Sequence, residues 1–332
     1  MADSAPHSFL WLTEADVVSL ISLSGAIAAL EAGLRLEAEG KARNLRKGQT
    51  AWEGGSLNVT GAQFTGAGFS GAKVWTNVGG RSAPLLLLHG SQDGQLKAII
   101  EAVALGQMRT GALAGVATKW LAAEGADDMA IVGTGKQSLT QVAAVHAVRP
   151  LKRLRVFSPT AENRARFAAE LRETYPFEVV EGGSVEDAVR DAPIVTTVTR
   201  ARDPFLFSAM VAPGAHINAA GAIIPAFAEI APDILPRCDR VVVDSIEGCR
   251  EDSRELKAYY DEGKGNWDDV LPLCQVVAKG EKRPAGADLT LFKWMGMGLA
   301  DLAAGIEIFR RARKRGVGRE YPHPGRAPVD LS

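Results

Sequence analysis

The sequence predicts an α/β fold built around a parallel sheet, and three observations carry that prediction. From Asp127 onward, short apolar runs alternate with helical stretches, as crossover connections between parallel strands require. One of those runs, Met129-Ala130-Ile131-Val132, passes directly into Gly133-Thr134-Gly135 and then into a helical pattern. The 35 glycines among 332 residues supply the tight turns and close backbone approaches that such a fold uses.

The first 125 residues mix helices with strands. Thr13-Glu14-Ala15-Asp16 has the form of a helix-opening capping pattern. Ile27, Leu30, Leu34 and Leu36 follow at broadly helical spacing in an alanine-rich stretch that ends near Gly40. Three strand-like runs come next, at 56–64, 69–78 and 84–89. In the last, Leu85-Leu86-Leu87-Leu88 is continuously apolar, which predicts a strand buried on both faces. Asp93-Gly94 is a turn dipeptide, so a hairpin is expected there. A helix over 102–123 carries Arg109 and Thr110 near its start. In the second region strands are expected at 129–132, 154–157, 178–180, 194–198, 216–219 and 241–244, with helices ending near 147 and spanning 161–174. A long helix over 296–314 closes the chain. Its basic run at 310–315 reads as a solvated helix end that complements the dipole.

Composition narrows the function classes. Thirty-eight Lys and Arg against 39 Asp and Glu give a net charge of −1, which offers no electrostatic footprint for nucleic acid or an anionic membrane. An apolar fraction of 46% with 23% charged residues excludes disordered, collagen-like and coiled-coil chains. No apolar run approaches the roughly 18 residues of a membrane span, and the first residues lack the basic and apolar regions of a secretory signal. Cys238, Cys249 and Cys274 are an odd set without metal-site spacing. The expectation is therefore no disulfide framework, no metal, and a reducing, cytoplasmic setting.

Gly133-x-Gly135-x-x-Ser138, between a strand and a helix, is where a dinucleotide fingerprint belongs. The first glycine makes the turn and the second lets the backbone approach a pyrophosphate. The small third residue lets helix and strand pack, and the phosphates meet the helix N-terminus. At the end of the following strand, an acid would bind the ribose hydroxyls of NAD. This chain has Ser158-Pro159-Thr160 there, with Asn163 and Arg164 beyond, a set that favours NADP(H) while leaving NAD(H) possible. Ser158 and Thr160 are equally suited to capping the next helix.

Two stretches, Ile131-Val132-Gly133-Thr134-Gly135-Lys136-Gln137 and His216-Ile217-Asn218-Ala219-Ala220-Gly221-Ala222, resemble the ornithine cyclodeaminase/μ-crystallin family. Met108-Arg109-Thr110-Gly111-Ala112, Gly71-Ala72-Lys73-Val74, Val241-Val242-Val243-Asp244-Ser245, and Leu291-Phe292-Lys293 through Gly296 to Asp301-Leu302 extend the resemblance, in the family's order, over nearly the whole chain. It implies a Rossmann-type NAD(P)-binding domain at 126–298. It also implies a second α+β domain, built from 1–125 and 299–332, that binds substrate and usually forms a homodimer. By the same resemblance Thr110, Gly133, Thr134, Gly135, Lys136, Gln137, Thr197, Val198, Thr199, Asn218, Lys293 and Gly296 stand at the cofactor, alongside Ser158, Thr160 and Asn163.

The family's reactions handle a carboxylate beside an imine or amine carbon, and fixed cations suit such a group. The resemblance points to Arg46, Lys73 and Arg109, with Thr110 beside them; Lys73 and Arg109 are the catalytic candidates. Cyclodeaminases of the family carry an aspartate two residues after the glycine matched by Gly221, but here that position is Ile223. Isoleucine neither accepts a proton nor activates water, and Glu229 lies six positions further on. Imine reduction needs no such base. The expectation is therefore NAD(P)H-dependent reduction of α-imino acids, small molecules such as Δ1-pyrroline-2-carboxylate, Δ1-piperideine-2-carboxylate or an acyclic relative. Ornithine-type cyclodeamination, amino-acid dehydrogenation and non-catalytic ligand binding are the alternatives. Trp294 follows Phe292-Lys293 where the family has a small residue, and it either narrows the pocket or packs the core. Ile223 would form part of an apolar pocket wall.

Overall fold

A computed structural model describes residues 8–325 and 327–331; part of the N-terminal stretch read above, residues 1–7, lies outside the described residues. The chain opens with strand β1 (Ser8–Leu12) and helix α1 (Glu14–Leu20). Thr13 caps α1 as expected, its side chain accepting from the Asp16 N–H while Asp16 returns a bond to the Thr13 N–H. Helix α2 (Leu23–Ala38) buries Ile27, Leu30 and Leu34, the apolar stripe seen in the sequence.

Strands β2 (Arg43–Trp52), β3 (Gly55–Phe64), β4 (Phe69–Val78), β5 (Leu85–Gly90) and β6 (Leu96–Glu101) form an antiparallel meander. β5 and β6 are joined through Gly94 at φ +68°, in the expected hairpin. β2 was not foreseen because it is an exposed edge strand without alternating apolar residues. β5 is buried on one face only. Leu86 and Leu88 are sealed in the core while Leu85 and Leu87 stay half-buried, because helices cover only one side of this sheet.

Helix α3 (Val103–Leu121) leads from β6 into β7 (Asp128–Val132), α4 (Ser138–Val148), β8 (Arg153–Phe157), α5 (Ala161–Thr174) and β9 (Glu178–Glu181). Then come α6 (Val185–Val189), β10 (Ile194–Thr197), β11 (His216–Ala219), β12 (Cys238–Val243), α7 (Ile246–Asp252), α8 (Arg254–Tyr260), β13 (Leu271–Pro272), α9 (Leu273–Lys279) and β14 (Leu289–Lys293). These strands pair in parallel throughout, in the order β13-β12-β14-β11-β10-β7-β8-β9. The order reverses between β7 and β10, which places a ligand crevice at their C-terminal ends. β14, all five residues buried, was quoted in the sequence as a motif and not read as a strand.

Helix α10 (Gly298–Arg315) returns the chain to the first sheet, where β15 (Arg319–Pro322) pairs with β1. It starts two residues later than the sequence suggests because Gly296 adopts φ +91° and Met297 is the extended N-cap. Its basic end is only partly solvated, for Arg311 and Arg315 donate to the carbonyls of Leu20 and Ser19. Among the described residues no single helix is long and apolar enough to cross a membrane.

Candidate active site

The turn after β7 is built for a close visitor. Gly133 has φ +113°, and a Cβ there would stand 2.5 Å from the Val198 carbonyl oxygen, so no larger residue fits. Thr134 is half-buried, Gly135 and Lys136 are exposed, and the space around Gly135 is open. Gln137 precedes the first turn of α4 without capping it, which leaves the N-terminal N–H groups facing the crevice. Ser138, the third position of the fingerprint, is wholly buried between helix and strand. Gln141 reaches across to the Thr110 carbonyl, so α3 and α4 are tied together at this point. This donor-rich cradle, open around Gly135, fits a dinucleotide pyrophosphate.

At the end of β8, Ser158 is buried and its carbonyl accepts from Arg164 at 2.7 Å. Thr160 is the N-cap residue of α5, but its side chain makes no cap hydrogen bond. Asn163 accepts from Arg166. Arg164 also lies 3.8 Å from Glu181 and over the Phe157 ring.

Several residues assigned to the cofactor lie beneath the crevice instead. Asn218 is fully buried, donating to Thr118 and Thr196 while its carbonyl oxygen meets His216. Burial pushes His216 down to about 3, so it is a neutral core residue. Lys293 is sealed from solvent, 2.6 Å from Glu255 and donating to the Ala222 carbonyl. Thr197 is buried and donates to Glu229. Asn218, Lys293 and Thr197 therefore fix the strand ends and loops under the site, while Val198 and Thr199, both half-buried, are the members of that loop open to a ligand. Thr110 is a backbone-pinned helix residue, its hydroxyl donating to the Gly106 carbonyl.

Glu229, the acid downstream of Ile223, accepts from the N–H groups of Thr199 and Gly221 and from the Thr197 hydroxyl. Burial raises its pKa. With both oxygens committed to the loop it does not replace the missing aspartate. Ile223 itself is 37% exposed on the loop after β11.

The charged centre lies where both ends of the chain meet. Gly298 packs so tightly on Gly61 that a Cβ would fall 2.1 Å from the Gly61 nitrogen. That contact seats the start of α10 under β3 and β4, and Asp301 arrives beneath Lys73. Asp301 Oδ1 is 2.5 Å from Lys73 Nζ and 3.0 Å from Arg109 Nε, and Oδ2 accepts from Thr60. Asp301 is completely buried; although burial opposes it, Arg109 and Lys73 hold its carboxyl below the usual range. Lys73 is 4% exposed, and burial pushes it down to about 8 even with Asp301 beside it. Its ammonium also stands 5.0 Å from the Trp75 ring. Arg109 sits two turns into α3, its Nε in ion-pair contact with Asp301 without a hydrogen bond and, among the described residues, no partner on its terminal nitrogens.

Next to this centre opens a cleft of about 770 Å³ between β2, β4 and the loops after β12 and β14. Gly71, Asp244, Gly296, Lys47 and Glu37 line it, with Arg46 at its rim. Asp244 accepts from the N–H groups of Met295 and Gly296, and burial lifts it to about 6. Gly296 is thus held at the cleft by its backbone. Arg46 is 78% exposed and paired with Glu251 at 2.8 Å, whereas burial lowers its neighbour Lys47. Lys47, Asp301, Asp244 and Glu37 were not singled out from sequence. An acid at position 301 amid Leu299-Ala300 and Leu302-Ala303-Ala304 was the available signal for the second. Trp294 does not line the cleft. It is 2% exposed and packs on Phe292 at 5.4 Å in the core. Among the described residues no group of three or more His, Cys, Asp or Glu is arranged to hold a metal ion.

Comparison with known proteins shows likeness over most of the chain. The model of the ornithine cyclodeaminase/mu-crystallin family matches residues 9–316. A Delta(1)-pyrroline-2-carboxylate reductase of Bacillus cereus is 32% identical over 236 residues, covering 70% of this chain and 72% of that protein. The structure of the Thermococcus litoralis Delta(1)-pyrroline-2-carboxylate reductase with NADH and L-proline superposes with a TM-score of 0.87 at 27% identity, covering 94% and 99% of the two chains. An archaeal alanine dehydrogenase dimer with bound NAD gives 0.86 at 26% identity, covering 95% and 99%.

Proposed function

Because this chain belongs to the ornithine cyclodeaminase/mu-crystallin family, we propose that it is an NAD(P)H-dependent reductase that converts α-imino acids to amino acids. Its substrates would be cyclic ketimines such as Δ1-pyrroline-2-carboxylate and Δ1-piperideine-2-carboxylate, or an acyclic relative. The observation that carries this reading is the single carboxylate oxygen of Asp301 shared by Lys73 and Arg109.

That shared oxygen fixes two cations with different tasks. Arg109 is held beside Asp301 by charge, with Nε 3.0 Å from Oδ1, which leaves its paired terminal nitrogens to take the substrate carboxylate bidentately. Lys73 is anchored through one N–H of three and, at about 8, releases a proton far more readily than an ordinary lysine. It serves as the acid toward the imine nitrogen. Lys47, facing the same cleft, adds a further cation toward the carboxylate. Gly133, Thr134, Gly135, Lys136 and Gln137 would hold the dinucleotide phosphates, and Val198, Thr199 and Gly296 would border its far end. When bound, the reduced nicotinamide supplies the hydride for the imine carbon. Ile223 leaves this chemistry without a carboxylate base, which reduction does not require.

NADPH is the finer cofactor reading. Ser158 puts no acid against a 2′-phosphate, and the Thr160 hydroxyl makes no cap bond. A homodimer formed through the first sheet is supported by the half-buried Leu85 and Leu87 and by exposed Leu45, Trp52 and Leu57. The three free cysteines suit a reducing cytoplasm.

The test is nicotinamide absorbance with NADPH and NADH against a panel of cyclic ketimines, and of 2-oxo acids with amines. Oxidation of the cofactor is expected. No consumption with any compound overturns the reading, and ammonia plus proline formed from ornithine without net consumption replaces it with cyclodeamination.

A further inference from the structure

Glycine inside a helix is less favourable than alanine, so its presence there needs a reason. On α3, Gly111 and Gly115 have one in packing. A Cβ would stand 2.5 Å from the Thr140 carbonyl oxygen at the first and 2.8 Å from Ile27 Cδ1 at the second. Gly106 has no such neighbour. Outside its own helix, a Cβ there would meet one atom within 4 Å, Lys73 Nζ at 3.9 Å. Nor does the backbone ask for glycine. Its φ lies outside the left-handed region, its N–H donates to the Ala102 carbonyl, and its own carbonyl accepts from the Thr110 hydroxyl. What the missing side chain leaves is room, and the room lies against the ammonium of Lys73.

Two other sides of that ammonium are taken. Asp301 Oδ1 accepts one of its N–H groups at 2.5 Å. The half-buried Trp75, two residues along β4 and so on the same face, sets its ring 5.0 Å away. Gly106 stands three residues before Arg109, so the gap and the guanidinium lie on one face of α3.

We propose that Gly106 is a specificity-determining residue whose missing side chain makes room for a substituent on the imine nitrogen, so that N-substituted α-imino acids are preferred to those bearing N–H. The assignment rests on the reductase reading, in which Arg109 takes the carboxylate and Lys73 faces that nitrogen. The substituent is the ring methylene of a cyclic ketimine, or the alkyl group of an imine formed from a 2-oxo acid and a primary amine. As hydride from a reduced dinucleotide joins the carbon, the C=N π pair takes a proton from Lys73 Nζ, and the nitrogen keeps its substituent. A primary imine, formed with ammonia, has only hydrogen at this place and leaves the gap unfilled, which forfeits contact.

Calorimetric titration of the protein saturated with NADP+ or, if it binds more tightly, NAD+ tests the proposal, using N-methyl-L-alanine and L-alanine, which differ by one methyl group on nitrogen. Wild-type protein should bind the N-methyl compound about fourfold or more tighter. G106A puts its own methyl group into the gap. It should weaken N-methyl-L-alanine about tenfold and leave L-alanine within about twofold. Dinucleotide affinity should not change, and the melting midpoint should hold or rise because alanine is the better helix former. In turnover, kcat/KM for pyruvate with methylamine should fall in G106A while that for pyruvate with ammonia holds. Wild-type protein that binds the two amino acids alike or binds neither, or a G106A protein that loses both equally, overturns the assignment. A preference for N-methyl-L-alanine that G106A abolishes, in a protein that oxidises no reduced dinucleotide with any imine, upholds Gly106 as the selecting residue and removes the reductase reading alone.

Discussion

Lys73 Nζ and Asp301 Oδ1 lie 2.5 Å apart although 228 residues separate them in the chain. One side chain comes from β4, the third strand of the meander, the other from the first turn of the last helix, so the pair exists only once both chain ends have folded together. Lys73→Met keeps the bulk and removes the acid. It should lower turnover by about 10²- to 10⁴-fold while dinucleotide affinity, measured by fluorescence titration, stays within a factor of about two. Equal activity would take lysine out of the mechanism.

The protonation state of Lys73 sets a pH dependence. Burial places its pKa at about 8, so the ammonium that donates to the imine nitrogen is present below that pH and is lost above it. The rate of reduction at saturating substrate should therefore fall as pH rises through about 8, and Lys73→Met should abolish that limb. A rate that climbs from pH 7 to 9 would contradict the role.

Asp301→Asn leaves two cations facing one another in a buried site. Breaking a buried pair in this way costs about 3–5 kcal/mol, a large part of the roughly 5–15 kcal/mol that holds a typical domain folded. Urea unfolding should show that loss. The sign with pH follows from the depressed pKa of Asp301. Its contribution is present above its ordinary value of 3.8 and disappears as pH falls through the lower value of the folded state. The variant's stability should then depend less on pH below 4 than the wild type's.

Gly133→Ala forces a Cβ to within 2.5 Å of the Val198 carbonyl and strains a backbone at φ +113°. The crevice between β7 and β10 must shift, and dinucleotide affinity should drop about tenfold or more. Ser158→Asp places an acid at the end of β8. It should move selectivity toward NAD(H) by about tenfold or more, since a carboxylate against a 2′-phosphate costs several kcal/mol. Titrations of both variants with NADPH and NADH decide the two points; a Ser158→Asp protein that still favours NADPH would refute the selectivity argument.

The sequence made the parallel half of the fold legible because each strand there is a short apolar run with a glycine turn or helix behind it. It was less informative for β2, whose polar edge residues leave no period, and for Leu85 to Leu88, where a continuous apolar run hides an alternation that only one-sided helix packing produces. At the site, motif position identified Lys73, Arg109 and the Gly133 turn. The buried functions of Asn218, Thr197 and Lys293 were hidden, since a polar residue at a strand end reads the same whether it points up at a ligand or down into a hydrogen-bond network. Long-range pairs such as Lys73 with Asp301 leave no local trace beyond an acid set in an apolar helix.

Adjacent residues on β2 give the sharpest remaining contrast. Arg46, expected at the substrate, projects to solvent and pairs with Glu251, an exposed ion pair of the kind that contributes little. Lys47 points into the cleft, where burial lowers its pKa and where it feels Asp252, Arg109 and Asp244. Successive residues of a strand face opposite sides of the sheet, which turns the two side chains apart; the pairing with β3 also shifts register between Leu45 and Gly48. Arg46→Ala should therefore change KM for an α-imino acid by less than about twofold. Lys47→Met should raise it about tenfold by removing a charge-assisted contact, with kcat affected far less than in Lys73→Met. A larger KM effect from Arg46→Ala than from Lys47→Met would mean that the rim arginine swings inward with substrate and that the strand's inward residue is only a wall.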